Sequence, residues 1–310
     1  MNSRTIAEAI RGGAALLVIS INTIVLTLLL CVLSTGKFLA PTAAIRDRVR
    51  RLLAGIAGIW ISVNNGVLSM YRGTRWDIEL PDGLDRNGSY VVTCNHRSWV
   101  DILVLQRCFN RRIPLLRFFL KRELIRVPFL GMAWWALDFP FVRRHSREEL
   151  EKRPDLRGRD LENARKACEK FRTVPVAMMT FPEGTRYSER KRDRSHSPFR
   201  NLLKPRIGGL GQVLYALGDR LDALIDVTIV YPVEEGTGAA PSFWDLLTGK
   251  VPRVVAQARR IEIPEELLGR DFETDPAFYQ DLRQWIMQLW QEKESLIDRL
   301  EEPATAPEAP

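Results

Sequence analysis

From Ala14 to Thr35 no side chain is charged, and Leu, Ile and Val dominate. A run of about 22 residues is long enough for a helix across roughly 30 Å of hydrocarbon. Arg11 and Lys37 bracket it. A cleaved signal peptide is the competing reading, but its apolar stretch is only about 7–15 residues and is followed by a small-residue cleavage site. A second apolar run, Leu52 to Met70, carries Asn64, Asn65 and three glycines. That makes it a poor span. It suits an interfacial or re-entrant helix, or else a buried helix of the domain that follows.

Beyond these runs the pattern alternates between short β-rich stretches and helical spacing. Strands are predicted at Thr74–Leu80, Tyr90–Cys94, Leu115–Leu120, Phe139–Val142, Val174–Phe181, Leu224–Tyr231 and Arg253–Ala258. Helices are predicted at Ile102–Phe109, at Pro128–Leu137 with proline in the first turn, and at Gly208–Leu217. Ser146–Arg172 is heavily charged and reads as two helical pieces split at Pro154. Tyr187–Pro198, rich in Arg, Lys and Ser, reads as a mobile loop. Pro276–Leu300 is amphipathic, with Phe278, Leu282, Trp285, Ile286, Leu289 and Trp290 on one face and Asp275 as N-cap. Strands alternating with helices indicate an α/β domain. The expected division is membrane-anchoring helices over 1–72, an α/β domain over 73–260, a C-terminal amphipathic segment over 261–302 and a disordered tail over 303–310.

Charge sharpens this picture. The net charge is +8, and the pI is about 9.5. A basic surface attracts anionic lipid, nucleic acid or phosphorylated substrates. No base-stacking or groove-reading motif supports nucleic acid. Arg46, Arg48, Arg50 and Arg51 follow the first apolar run, against Arg4 and Arg11 before it. That excess predicts that the C-terminal bulk stays on the cytoplasmic side of the membrane. The four cysteines form no CxxC pair, and three histidines are too few for a histidine cluster, so no metal site is expected.

Two strings carry chemistry. In Asn95-His96-Arg97-Ser98-Trp99-Val100-Asp101 a histidine precedes an aspartate by five residues. If His96 sits in the turn after a strand and Ser98 caps the next helix, Asp101 falls in the first helical turn. From there its carboxylate can reach back to the imidazole. It would fix the ring tautomer and stabilise the imidazolium. Ser98-x-x-Asp101 also approximates a capping box, so Asp101 has a purely structural alternative. A His–Asp pair without a serine nucleophile suggests a general base acting on the substrate's own hydroxyl. Cys94 is placed in the core and is not favoured as a nucleophile.

In the second string, Phe181-Pro182-Glu183-Gly184-Thr185-Arg186, Gly184 permits a tight turn and Arg186 a bidentate phosphate contact. Thr185 adds a donor. Glu183 would repel phosphate, so it is expected to hold an arginine or a substrate hydroxyl. Arg143 and Arg144 are a second candidate phosphate contact.

Asn95 to Asp101 and Phe181 to Arg186 together resemble the signature blocks of the 1-acylglycerol-3-phosphate acyltransferase (PlsC-type) family. The resemblance covers roughly residues 80–235. A further block, a hydrophobic strand ending in proline, is similar to Val227–Pro232. Another is similar to Phe141-Val142-Arg143-Arg144, but Asp138 stands where the family has glycine. Trp99, Leu130 to Asp138 and Trp290 resemble the bacterial YihG-like inner-membrane subgroup. The resemblance implies an α/β fold with a mixed sheet flanked by helices, as in glycerol-3-phosphate acyltransferases. It implies acyl transfer from acyl-CoA or acyl-carrier protein, as co-substrate and without a cofactor, to a lysophospholipid hydroxyl. The expected acceptor is 1-acylglycerol 3-phosphate and the product phosphatidic acid. His96 and Asp101 would be catalytic, with Arg144, Glu183, Gly184, Thr185, Arg186 and Pro232 binding substrate. A hydrolase using the same base, or a non-catalytic membrane tether, are the competing classes.

Overall fold

The computed structural model describes residues 3–70, 73–142, 159–232 and 240–301. Two long helices open the chain, α1 (Ser3–Leu39) and α2 (Ala43–Ser69). Thr42 caps α2 by accepting from the Ile45 amide. The helices pair along their length, and Asn22 donates to the Asn64 side-chain oxygen (2.9 Å), satisfying two amides between apolar faces. Both are long and apolar enough to cross a membrane.

The α1 helix is also docked at both ends to the domain that follows. Near its start, Gly12 lies against Trp244 and Thr248 so closely that a Cβ there would sit 2.8 Å from a Thr248 methyl. Near its end, Lys37 donates to the Ala136 carbonyl (2.7 Å) and pairs with Asp138 (3.0 Å). A 37-residue helix is about 55 Å long. The domain therefore lies alongside the helix rather than beyond one end of it.

The α/β domain is built on a six-stranded sheet in the order β1-β8-β7-β2-β6-β3, with β4 and β5 forming a separate pair. The strands are β1 (Arg75–Glu79), β2 (Tyr90–Cys94), β3 (Leu116–Arg117), β4 (Leu120–Lys121), β5 (Phe141–Val142), β6 (Ala177–Thr180), β7 (Ala223–Val230) and β8 (Arg253–Ile261). β7, β2 and β6 run parallel at the centre. β7 and β8 are antiparallel, so the sheet is mixed, as expected.

Strand periodicity divides the core into two faces. Val91, Met178 and Leu224 join a core with α7 (Gly208–Leu217) and α9 (Pro276–Glu301). Val92, Cys94, Met179, Ile225 and Val227 join the opposite core with α3 (Val100–Phe109) and α8 (Phe243–Thr248). α5 (Arg159–Cys168) sends Cys168 into the first core. A third core joins Leu30, Leu53 and Ala57 of the hairpin to α4 (Leu130–Ala136).

Three sequence expectations need correction or a limit. The strand expected over Leu115–Leu120 divides: β3 pairs with β6 and β4 with β5. Between them Phe118 turns away and packs edge-on against Phe139, at 5.2 Å between centroids. The loop expected over Tyr187–Pro198 contains a short helix, α6 (Glu189–Arg194), because Ser188 caps it by accepting from the Lys191 amide. Residues 143–158, with Arg143, Arg144 and Pro154, and the tail from 303 lie outside the described residues.

Candidate active site

The carboxyl ends of β6, β2 and β7 converge where open α/β sheets hold their ligands. The chain leaving β2 is tied across to β7 by Asn95. Its side-chain amide donates to the Ile229 carbonyl and accepts from the Ile229 amide, both at 2.8 Å. A side chain thus continues the sheet ladder where the backbone must turn. His96 follows, held at both main-chain groups. Its amide donates to Glu183 Oε1 (2.7 Å), and its carbonyl accepts from the Tyr187 amide (2.7 Å). The ring lies flat on Phe181, with centroids 3.9 Å apart and planes 12° apart.

His96 Nδ1 is 2.8 Å from Asp101 Oδ2. A carboxylate there accepts, so Nδ1 carries the proton and the Nε2 lone pair is left for a substrate. Asp101 is fully buried. Its Oδ2 also accepts from the Arg97 and Ser98 amides at 2.7 and 2.8 Å, and its Oδ1 accepts from the Tyr231 hydroxyl at 2.6 Å. Burial first, and the Asp101 carboxylate second, hold the Tyr231 phenol well above its usual range, so it stays a donor. Ser98 Oγ in turn accepts from the Val100 amide (3.0 Å) and donates to the Pro241 carbonyl. The cap-like geometry and the histidine contact therefore coexist in one carboxylate. The α3 helix starts at Val100, two residues before the predicted Ile102–Phe109 stretch, with Trp99 rather than Ser98 in the N-cap position.

The second string forms the wall beside this pair. Glu183 is buried, and its two oxygens accept from the His96 and Leu203 amides, at 2.7 and 2.9 Å. Both oxygens are thus engaged by backbone amides rather than by the expected arginine. Burial pushes its carboxyl up to about 7. Gly184 has φ +70°, and a Cβ on it would meet the Arg206 side chain at 3.4 Å. Thr185 Oγ1 accepts from Lys191 Nζ (2.8 Å), which also binds the Arg186 carbonyl. Arg186 is exposed and lies 5.0 Å over the exposed ring of Trp99. Arg186, Lys191 and Arg206 thus put cationic groups around one turn, beside the histidine. Pro232 follows Tyr231 and ends β7. Asp138, standing where the resembled family has glycine, has φ +62°, the left-handed region that glycine enters freely. Arg144 lies outside the described residues.

Burial raises the Cys94 thiol well above its usual range, so a thiolate nucleophile beside His96 is disfavoured. Sequence reasoning gave no role to Tyr231, Asn95, Phe181 or Arg206. Tyr231 stood in plain view before Pro232, but its reach to Asp101 spans 130 residues of chain.

The C-terminal helix braces the same turn from outside. Arg97 bonds Glu301 (2.8 Å) and the Asn201 carbonyl (3.1 Å). Glu294 accepts from the Arg200 and Asn201 amides, both at 2.8 Å, two residues before the Leu203 amide that holds Glu183. Deeper in, the fully buried Lys293 pairs with Asp226 (2.9 Å) and donates to the Val227 carbonyl (2.6 Å), pinning α9 to β7.

Comparisons with known proteins place acyltransferases among those similar to this chain. Over 259 residues the chain is 26% identical to lysocardiolipin acyltransferase 1 of Gallus gallus, covering 80% of this chain and 63% of that protein. It is 29% identical over 222 residues to the probable 1-acyl-sn-glycerol-3-phosphate acyltransferase 5 of Arabidopsis thaliana, covering 67% of this chain and 52% of the relative. The chain thus spans between half and two thirds of the length of these relatives. The crystal structure of PlsC, the 1-acyl-sn-glycerophosphate acyltransferase from Thermotoga maritima, is similar at TM-score 0.49 and 15% identity, covering 93% of this chain and all of that one. The Acyltransferase family model matches residues 75–231, the segment holding His96, Asp101, Glu183 and Tyr231, and the chain belongs to that family.

Proposed function

We propose that this chain transfers a fatty acyl group from a thioester, acyl-CoA or acyl-carrier protein, to the free hydroxyl of a lysophospholipid. The acceptor is 1-acylglycerol 3-phosphate and the product phosphatidic acid. The observation that carries this reading is the His96–Asp101 pair, locked at the mouth of three parallel strands in a chain of the acyltransferase family.

The substrate hydroxyl gives its proton to His96 Nε2 while its oxygen attacks the thioester carbonyl. Asp101 stabilises the imidazolium that forms. The tetrahedral adduct collapses, the C–S bond breaks, and the proton returns from His96 to the leaving thiolate. Gly184, Thr185 and Arg186, joined by Lys191 and Arg206, face the acceptor's phosphate. Glu183 serves by fixing the His96 amide rather than by touching substrate.

The two apolar helices support membrane association. Docking of both ends of α1 on one domain favours a hairpin lying within a single leaflet. The arginines after α1 favour the cytoplasmic face of the inner membrane. The test is an acceptor panel, 1-acylglycerol 3-phosphate and lysocardiolipin, each with labelled acyl-CoA and acyl-carrier protein donors. Acceptor-dependent esterified lipid supports the reading. Free fatty acid formed equally without acceptor means a thioester hydrolase.

A further inference from the structure

The segment between β4 and β5 holds an apolar surface that the reaction does not use. Ile125, Phe129, Met132 and Trp135 are each about two-fifths exposed along the 122–137 segment, which runs from a 3-10 turn (Arg122–Arg126) through a bend at Phe129 into α4. The opposite side is filled. Gly131, Ala133 and Ala136 are buried, and Gly131 lies so close to Ile125 that a Cβ would overlap its carbonyl. The segment is therefore closely packed on its inner side, with these aromatic and aliphatic side chains left partly exposed.

Phe129 also has φ +59°, a conformation costly for a bulky residue. Its side chain is 36% exposed, so part of the ring reaches solvent beside Met132 and Trp135.

The stripe is continuous with the outer face of α1. Phe38 stacks on Trp135 at 5.8 Å between centroids, and Leu28, Leu29, Val32 and Leu39 extend the exposed apolar surface. Its margin is basic: Lys121, Arg122 and Arg126 are exposed along the segment, and Arg46, Arg48 and Arg51 at the start of α2. Apolar side chains bordered by arginine and lysine fit a helix lying in the headgroup–acyl boundary of an anionic leaflet.

We propose that residues 122–137 are a second membrane contact, a wedge beside α1 that inserts its apolar stripe into a leaflet containing anionic phospholipid. This rests on the membrane association proposed above. The wedge leads into β5, so it would hold this edge of the domain against the lipid that supplies the acceptor.

Site-directed labelling tests it on the full chain in phosphatidylglycerol–phosphatidylethanolamine vesicles. In a Cys31→Ser background the remaining cysteines are buried. Single cysteines at Met132→Cys (wedge), Leu28→Cys (α1) and Glu266→Cys (exposed, at the far core) carry an environment-sensitive fluorophore. The expected result is a blue shift and loss of most emission to spin-labelled lipid at 132 and 28, and neither at 266. Quenching at 28 with none at 132 overturns the wedge and leaves the membrane reading intact. No quenching at either overturns both. In a second arm, Arg122→Gln and Arg126→Gln each weaken binding to the anionic vesicles by about fivefold relative to zwitterionic ones. Equal binding to both vesicle types overturns the anionic preference.

Discussion

Replacing Asp101 with asparagine separates the two tasks its carboxylate performs. Oδ2 accepts from His96 Nδ1 and from the Arg97 and Ser98 amides, and Oδ1 accepts from the Tyr231 hydroxyl. An asparagine placed with its oxygen at the Oδ2 position keeps all three N–H donors satisfied. Its amide then donates to the Tyr231 oxygen, which only has to turn its own proton elsewhere. The hydrogen-bond pattern survives, and the charge does not. With charge centres about 4 Å apart, the lost attraction to an imidazolium is about 4 kcal/mol at the effective dielectric of ~20 suited to protein sites. About 4 kcal/mol corresponds to roughly a thousandfold in rate. The expected outcome for Asp101→Asn is a melting temperature close to wild type with kcat down by about 10³. Asp101→Ala strips the cap as well, and leaves buried donors unpaired at about 1–3 kcal/mol each. The assay is acyl transfer at saturating donor and acceptor, beside thermal unfolding of the same preparations. An Asp101→Asn enzyme within tenfold of wild-type kcat would reduce Asp101 to a helix cap and refute the reasoning.

Three further outcomes follow from the same contacts. Glu183, pushed up to about 7 by burial, makes its contribution to stability fully below about 4.5 and loses it as pH rises through about 7. Denaturant unfolding at pH 5 and pH 8 should show lower stability at pH 8, a difference that Glu183→Gln abolishes; the same difference in both proteins contradicts the assignment. Gly184→Ala forces φ +70° on a residue with a Cβ close to Arg206, and should cost about 1–3 kcal/mol with a rise in acceptor KM; unchanged stability and KM would remove the strained turn from the account. Lys293→Met leaves Asp226 with Thr93 and Arg259 but no buried ammonium, and should destabilise by about 3 kcal/mol in chemical denaturation. Wild-type stability there would mean that α9 is held by its apolar face alone.

Much of this site was legible because its parts are local in sequence. The strand-turn-helix from Tyr90 to Phe109 follows from a β-rich run, a serine near a helix start and apolar residues at helical spacing. Its His–Asp reach follows from placing the histidine before the helix rather than in it. The face of α9 was legible for the same reason, since Phe278, Leu282, Ile286, Leu289 and Trp290 repeat at helical spacing. What the chain concealed depends on distant partners. An arginine partner was expected for Glu183 because a sequence shows side-chain charges, whereas its two oxygens are held by backbone amides, one of them 87 residues away. The break between β3 and β4 was hidden because Leu115–Leu120 is uniformly apolar apart from Arg117, whose buried guanidinium donates to the Leu137 carbonyl. Composition suggested a loop at Tyr187–Pro198, where one capping serine and a lysine clasped to Thr185 order a turn of helix. Asp138 looked like a departure from a glycine position, yet its backbone lies in the left-handed region that glycine enters freely.

The central claim is that His96 is the base for acyl transfer to a lipid hydroxyl. The direct measurement is labelled phosphatidic acid formed from labelled oleoyl-CoA and 1-acylglycerol 3-phosphate by membranes carrying the full chain, wild type beside His96→Ala at matched levels of folded protein. The account predicts product from the wild type and none above background from the variant. Equal product from both would contradict it.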